Sequence, residues 1–230
     1  MVQIACIENY ASSNSLANKA WRNKPTINSF PQDTVLDQQA FQNLPILMIS
    51  KGVIGLQHTL GDGRQTISIV YFAGEVIDFR HLGSVSGRAI CLLPVIVKLF
   101  NGEDYDRMQR QDQEFQQEQS AISARQLFYA SQHSIDLARK SAVEKLASFI
   151  LENRKRANLG RALTVHLKLR RTDIADYMGL RAETLSRAFS KLKNMRLITY
   201  SDADEIHITN EPMLRQLANG KPLHLKVNMQ

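Results

Sequence analysis

Hydrophobic and polar positions change their period along the chain. From Phe30 to about Leu99 the apolar residues come in short runs separated by turn residues. Leu47–Ile49, Val53–His58 and Thr66–Phe72 read as strands. Gly61-Asp62-Gly63 joins the last two as a hairpin turn, because glycine supplies the positive φ that such turns require. Ala73-Gly74-Glu75 and Gly83 to Gly87 mark further turns, and Pro45 and Pro94 fall at strand edges or bends. Short strands at this spacing predict a small β-roll or barrel. Residues 1–28, rich in Asn, Ser and Ala with little periodicity, read as a flexible N-terminal arm.

From Asp104 to about Arg139 there is no Pro or Gly, so one long helix is allowed, although residues 109–119 contain six Gln. Ala121, Ala124, Phe128, Ser131, Ile135 and Ala138 recur at steps of three and four, which makes one small or apolar stripe. Phe115, Ile122 and Tyr129 form a second stripe at steps of seven. Two adjacent stripes allow the helix to face its own domain and a partner helix together, so Phe115, Ile122, Tyr129, Phe128 and Ile135 are candidate dimerisation residues. A single buried core helix is the alternative reading of the same pattern. Ser141 to Asn153 is a further helix, with Arg154-Lys155-Arg156 in its last turn, where cations suit the dipole. Leu163 to Leu169 alternates with period two, as a strand does.

Residues 172–193 carry the most specific signal. They divide into a short helix, a turn containing Gly179 and a longer helix. Ile174, Ala175, Leu180, Leu185 and Leu192 close a small core between the helices, and Gly179 suits a positive-φ C-terminal cap. This is helix-turn-helix geometry. Leu197–Tyr200 and Glu205–Ile208 can follow as a hairpin wing around the turn 201–204. The core positions leave Arg181, Ala182, Glu183, Ser186, Arg187 and Ser190 facing outwards. Residues near the start of such a helix reach base edges in the major groove. Arg187 can donate two hydrogen bonds to guanine, and Glu183 can accept one from a cytosine amine. A glutamate aimed at DNA is repelled by phosphate, so its presence beside Arg187 points to base reading; a capping or surface charge is the plainer alternative for Glu183.

The charge distribution agrees. The chain has 230 residues and a net charge of +7, but residues 139–230 hold 18 Lys and Arg against nine Asp and Glu, while residues 1–138 hold 11 against 13. All the excess positive charge lies at one end, as in a polyanion-binding module. Cys6 and Cys91 are the only cysteines, too few for a disulfide framework or a Cys-rich zinc or iron–sulfur site. No apolar run approaches the ~20 residues of a membrane span, and the first residues lack a basic signal-peptide start. A cytoplasmic protein without membrane association is expected. Gly-x-Ser-x-Gly, phosphate-loop and His-Glu-x-x-His patterns are missing, so no catalytic or metal-ligating residues are assigned and no enzyme is expected.

The pattern Asp-Ile-Ala-Asp-Tyr-x-Gly-Leu-x-x-Glu-Thr-x-Ser-Arg over residues 173–187, with its wing, closely resembles the DNA-binding domain of the CRP/FNR superfamily of bacterial transcription regulators. The segment Gly52 to Glu75 is similar to that superfamily's sensor β-roll, and residues 104–139 to its dimer helix. The resemblance implies an α+β fold: an arm over 1–28, a β-roll of the cyclic-nucleotide-binding jelly-roll type over 29–108, a dimerisation helix over 109–139, and a winged helix-turn-helix over 140–230. It implies a homodimer bound to double-stranded DNA, and an activator whose further partner is RNA polymerase. Glu183, Ser186 and Arg187 match the FNR/FixK reading set, whereas Ala182 stands where the CRP branch has arginine. The implied operator is a palindrome of the TTGA-N6-TCAA type. Arg170, Arg171, Thr172, Arg181, Ala182, Glu183, Thr184, Ser186, Arg187 and Ser190 form the expected DNA-binding set. Arg170 and Arg181 depart from the Ser or Thr caps usual at their positions, and the wing is acidic (Asp202, Asp204, Glu205).

The resemblance also frames the input signal. Clustered N-terminal cysteines hold iron–sulfur in one branch, and here Cys6 stands alone. Cyclic-nucleotide members use a Gly-Glu turn and a later Arg-Ser/Thr-Ala; Gly74-Glu75 is present, but Arg88-Ala89 lacks the intervening hydroxyl residue. His81 or Cys91 are the candidates for an axial haem ligand. The resemblance to FixK-type members, which often act without any cofactor, makes cofactor-free action the leading expectation, so no cofactor is assigned. The alternative is an effector-gated regulator sensing a cyclic nucleotide or a haem-bound gas in the β-roll.

Overall fold

The computed structural model describes residues 25–36, 41, 43–82, 87–156, 163–200 and 205–221. Most of the expected arm with Cys6, the turn at 83–86 and the wing tip at 201–204 with Asp202 and Asp204 lie outside the described residues. The fold consists of two compact units, one ending at Gln132 and one beginning at His133.

The first unit contains strands β1 (Thr26–Phe30), β2 (Val35–Leu36), β3 (Ile46–Lys51), β4 (Val53–Thr59), β5 (Gln65–Phe72), β6 (Val76–Asp78), β7 (Arg88–Cys91) and β8 (Val95–Phe100), with a short helix α1 (Phe79–Leu82). They form two antiparallel four-stranded sheets, ordered β1-β8-β3-β6 and β2-β7-β4-β5. Period-two alternation turns one face of each sheet inwards. Leu47, Ile49, Val97 and Leu99 from one sheet share a single buried cluster with Ile54, Leu56, Ala89 and Cys91 from the other. The β4–β5 hairpin pairs Thr59 with Gln65 across the Gly61-Asp62-Gly63 turn, where Gly63 has φ 83°. The end of the expected arm is ordered structure: Thr26 to Asn28 pair with Leu99 to Val97 as part of edge strand β1. Hydrogen bonding to β8 overrides the weak local pattern there. Burial pushes the Cys91 thiol up to about 11, so it stays protonated as a core residue.

The expected single helix is two. Helix α2 (Gly102–Gln111) ends at Asp112, and α3 (Gln113–Arg139) begins after it. The Asp112 carboxylate accepts from the Phe115 amide at 2.9 Å, as a helix N-cap does, and this local bond interrupts the run. Phe115 is fully buried beside Ile46, Met48 and Phe100, and Ile122 is 6% exposed. These two members of the candidate dimerisation set are therefore corrected: their side chains are buried within the single chain and leave little surface to offer a partner helix. The other stripe lies open along its whole length, from Ala121 and Ala124 to Ala138, with Phe128 52% and Ile135 49% exposed. Tyr129, the third member of the second stripe, is half-buried and meets Phe128 edge-on at 5.5 Å.

The second unit takes the end of α3 and adds α4 (Ala142–Arg156), β9 (Thr164–His166), α5 (Arg171–Met178), α6 (Ala182–Asn194), β10 (Ile198–Tyr200), β11 (Glu205–Ile208) and α7 (Glu211–Ala218). A three-stranded antiparallel sheet runs β10-β11-β9. Leu146 and Ile150 of α4 are fully buried with Leu185 and Leu192 of α6. Helix α7 was not expected from the sequence. Asn210 caps it by accepting from the Met213 amide at 3.1 Å, and Leu214 and Ala218, four residues apart, are buried.

Candidate nucleic-acid interface

Helices α5 and α6 are joined by Gly179, Leu180 and Arg181. Gly179 adopts φ 61° and ψ 39°, the left-handed cap that stops α5, and its amide reaches the Ala175 and Asp176 carbonyls. Ile174, Ala175, Leu185 and Leu192 are buried as the pattern predicts, and Leu180 is half-buried. This places Ala182, Glu183, Ser186, Arg187 and Ser190 on the exposed side of α6, with Thr184 half-buried between them. The Ser190 hydroxyl donates back to the Ser186 carbonyl at 3.1 Å. Arg181 precedes α6 in extended backbone, exposed and with no capping bond from its side chain. Lys191, one turn beyond Arg187, continues the basic face.

The residues before α5 divide by role. Arg170 takes the N-cap position, but its guanidinium forks onto the Asp173 carboxylate, at 2.9 Å from Nε and 3.1 Å from Nη2. An ion pair thus takes the place of a hydroxyl cap. Thr172 is exposed. Arg171 turns inwards, with its guanidinium carbon 3.5 Å from the centre of the Phe189 ring. Other cations of this unit serve the fold. Arg154 pairs with Glu211 at 2.6 Å and Arg156 with Glu152 at 2.8 Å, both arginines being buried. The Arg154 and Arg215 guanidiniums hold the Glu211 carboxyl below its usual range. Charge count alone could not separate these structural cations from surface ones.

At the root of the unit the His133 ring stacks flat on Tyr177, with centroids 3.8 Å apart and planes 3° from parallel. Phe149 flanks Tyr177 at 5.9 Å, and Lys145 donates to the Met178 carbonyl at 3.2 Å, a cation at the C-terminal end of α5. The sequence pattern gave no sign of this stack, because His133 lies on neither stripe of α3. His133 is buried, and that burial holds its pKa below the ordinary value near 6.5; Lys145 pushes the same way and Asp136 opposes. The unfolded chain therefore binds the proton first as pH falls. Stability is full above about pH 6.5 and declines from there down through the lowered folded pKa. Thermal melts between about pH 7.5 and 5.5 are expected to show this loss, and His133→Phe, which keeps a ring over Tyr177, is expected to flatten it. The Glu211 carboxyl titrates lower, below its ordinary 4.5, and acts in a separate acid window. An equal slope in the variant would assign the effect to other groups.

Residues 144–217 match the model of the Crp-like helix-turn-helix domain. The chain is 33% identical over 171 residues to the nitrogen fixation regulation protein FixK of Rhizobium meliloti, covering 74% of this chain and 77% of that protein. It belongs to the CRP/FNR family, among the FixK-like regulators. The transcriptional activatory protein AadR of Rhodopseudomonas palustris is 30% identical, with 74% of this chain and 69% of that protein covered. The solved structure of FixK2 from Bradyrhizobium japonicum superposes with a TM-score of 0.70 at 27% identity, over 84% of this chain and 96% of that one. As a CRP/FNR member the protein is a DNA-binding transcription regulator. No helix of the described residues is long and apolar enough to cross a membrane.

Proposed function

We propose that the protein is a cytoplasmic, homodimeric transcription activator that reads a palindrome of the TTGA-N6-TCAA type, works with RNA polymerase and needs no bound cofactor. The observation that carries this reading is the outward face of α6, where Glu183, Ser186 and Arg187 are all exposed on a helix whose other side is sealed by Leu185, Ala188 and Leu192. Arg187 supplies the bidentate guanine contact, Glu183 accepts from a cytosine amine, and Arg181 and Thr172 approach phosphates. Exposed apolar residues along α3 support a dimer, because two such stripes can bury each other. The activator role follows the names of the similar proteins.

Effector independence is supported by Glu75. It is 2% exposed, and its carboxylate accepts from the Phe72 amide at 2.9 Å, closing its own turn. Arg88, the partner that a cyclic nucleotide phosphate would need, is exposed at the start of β7.

Selection of bound sequences from random DNA by the purified chain, with and without cell extract, tests the reading. The expected result is the same pseudo-palindrome in both arms. No enriched sequence would overturn sequence-specific recognition, and enrichment only with extract would replace effector independence by gating.

A further inference from the structure

We propose that Arg171 is a positioning residue for the recognition helix and the wing, and not a DNA contact. The inference rests on the DNA-binding reading above and departs from the role that resemblance implies for this position. Its guanidinium carbon lies over the Phe189 ring, 3.5 Å from the ring centre, and Nη1 is sealed from solvent. Phe189 is itself buried, 3% exposed. A guanidinium stacked this way is attracted to the ring face, and the attraction strengthens when both are desolvated. Reaching a phosphate would require Arg171 to leave the ring and open the space beneath it.

The stack continues. Phe189 meets Tyr200 of β10 edge-on, with centroids 6.0 Å apart and planes at 82°. Lys193 places its ammonium 4.7 Å from the Tyr200 ring centre. Arg171 stands at the start of α5, Phe189 and Lys193 lie on α6, and Tyr200 lies on the first wing strand. Cations and rings alternate, and they tie the first helix to the second and the second to the wing. Phe189 lies two residues beyond Arg187, so the ladder fixes the tilt and rotation with which Glu183 and Arg187 are offered to base edges. Displacing reading groups by about an ångström weakens directed hydrogen bonds and leaves diffuse charge attraction nearly unchanged.

Arg171→Met, which keeps the stem, and Arg171→Lys, which keeps the charge, test this in two measurements on the full chain. The first needs no DNA: hydrogen exchange of residues 183–192 and 198–200. Arg171→Met is expected to speed exchange there and Arg171→Lys to do so less, while α4 stays protected. The second is the salt dependence of binding to the selected site and to scrambled duplex. Arg171→Met is expected to lower affinity for the selected site about tenfold and leave scrambled binding and the slope of log K against log salt unchanged, since no counterion release is lost. A slope reduced by about one per protomer, with the ratio of selected to scrambled affinity preserved, would make Arg171 a phosphate contact and overturn the proposal. Unchanged exchange in Arg171→Met would also overturn it. If the unaltered chain selects no sequence, the operator reading fails by itself, and exchange still decides the role of Arg171.

Discussion

Replacing Phe128 and Ile135 together by glutamate is expected to leave the protein monomeric and to cut its affinity for a full palindrome by a factor of about a thousand or more. Both side chains are about half exposed in the single chain, and they are seven residues apart, so they recur on one face of α3. Full burial of a large apolar side chain contributes about 1.5–3 kcal/mol. In a symmetric helix pair each change is made twice, and each also places carboxylates of like charge in the seam. DNA binding falls with dimerisation because the second half-site is otherwise bound intramolecularly, an advantage of about 10²–10⁴. Sedimentation velocity and a gel-shift titration of the same samples read both effects. Phe115→Leu is the control: its ring is buried beside Ile46, Met48 and Phe100, in a cluster separate from the core between the sheets, so it is expected to lower stability and leave the association state unchanged. A Phe128→Glu, Ile135→Glu protein that remains dimeric would remove α3 as the interface.

Arg187→Ala is expected to cut discrimination between a TTGA-type palindrome and a scrambled duplex steeply, while leaving non-specific binding nearly intact. A bidentate arginine–guanine contact contributes about 1–3 kcal/mol of discrimination. Two half-sites lie far enough apart to add, which gives about 2–6 kcal/mol for the dimer, or a factor of about 30 to 10⁴. Lys191→Ala offers the contrast. It lies on the exposed basic face one turn away and is expected to weaken binding to both duplexes alike and to lower the salt slope. Competition gel shifts at two salt concentrations separate the variants. Unchanged discrimination in Arg187→Ala would remove base reading from this residue.

Much of this architecture was legible in the sequence because it rests on local periodicity. Strands β3, β4 and β5 alternate or run apolar between glycine turns, and the hairpin at Gly61-Asp62-Gly63 follows from that. The helix-turn-helix was legible for the same reason: Gly179 can only punctuate, and the spacing of Leu185 and Leu192 fixes which side of α6 is outward. Other features depend on residues distant in the chain. Edge strand β1 exists through its pairing with β8, some 70 residues on. The break at Asp112 turns on one side-chain bond that competes with a helix the composition allows. The sequence marks Arg154, Arg156, Arg170 and Arg171 alike as basic, and only the fold engages them with Glu211, Glu152, Asp173 and Phe189.

Hydroxyl-radical footprinting of the purified chain on its selected site tests the central claim most directly, because it reports at single-nucleotide resolution where each protomer lies. Two protected segments related by a dyad, centred about 34 Å or one helical turn apart, are the predicted result. A single protected segment, or a uniform ladder with no protection, would contradict a pair of recognition helices reading matched half-sites.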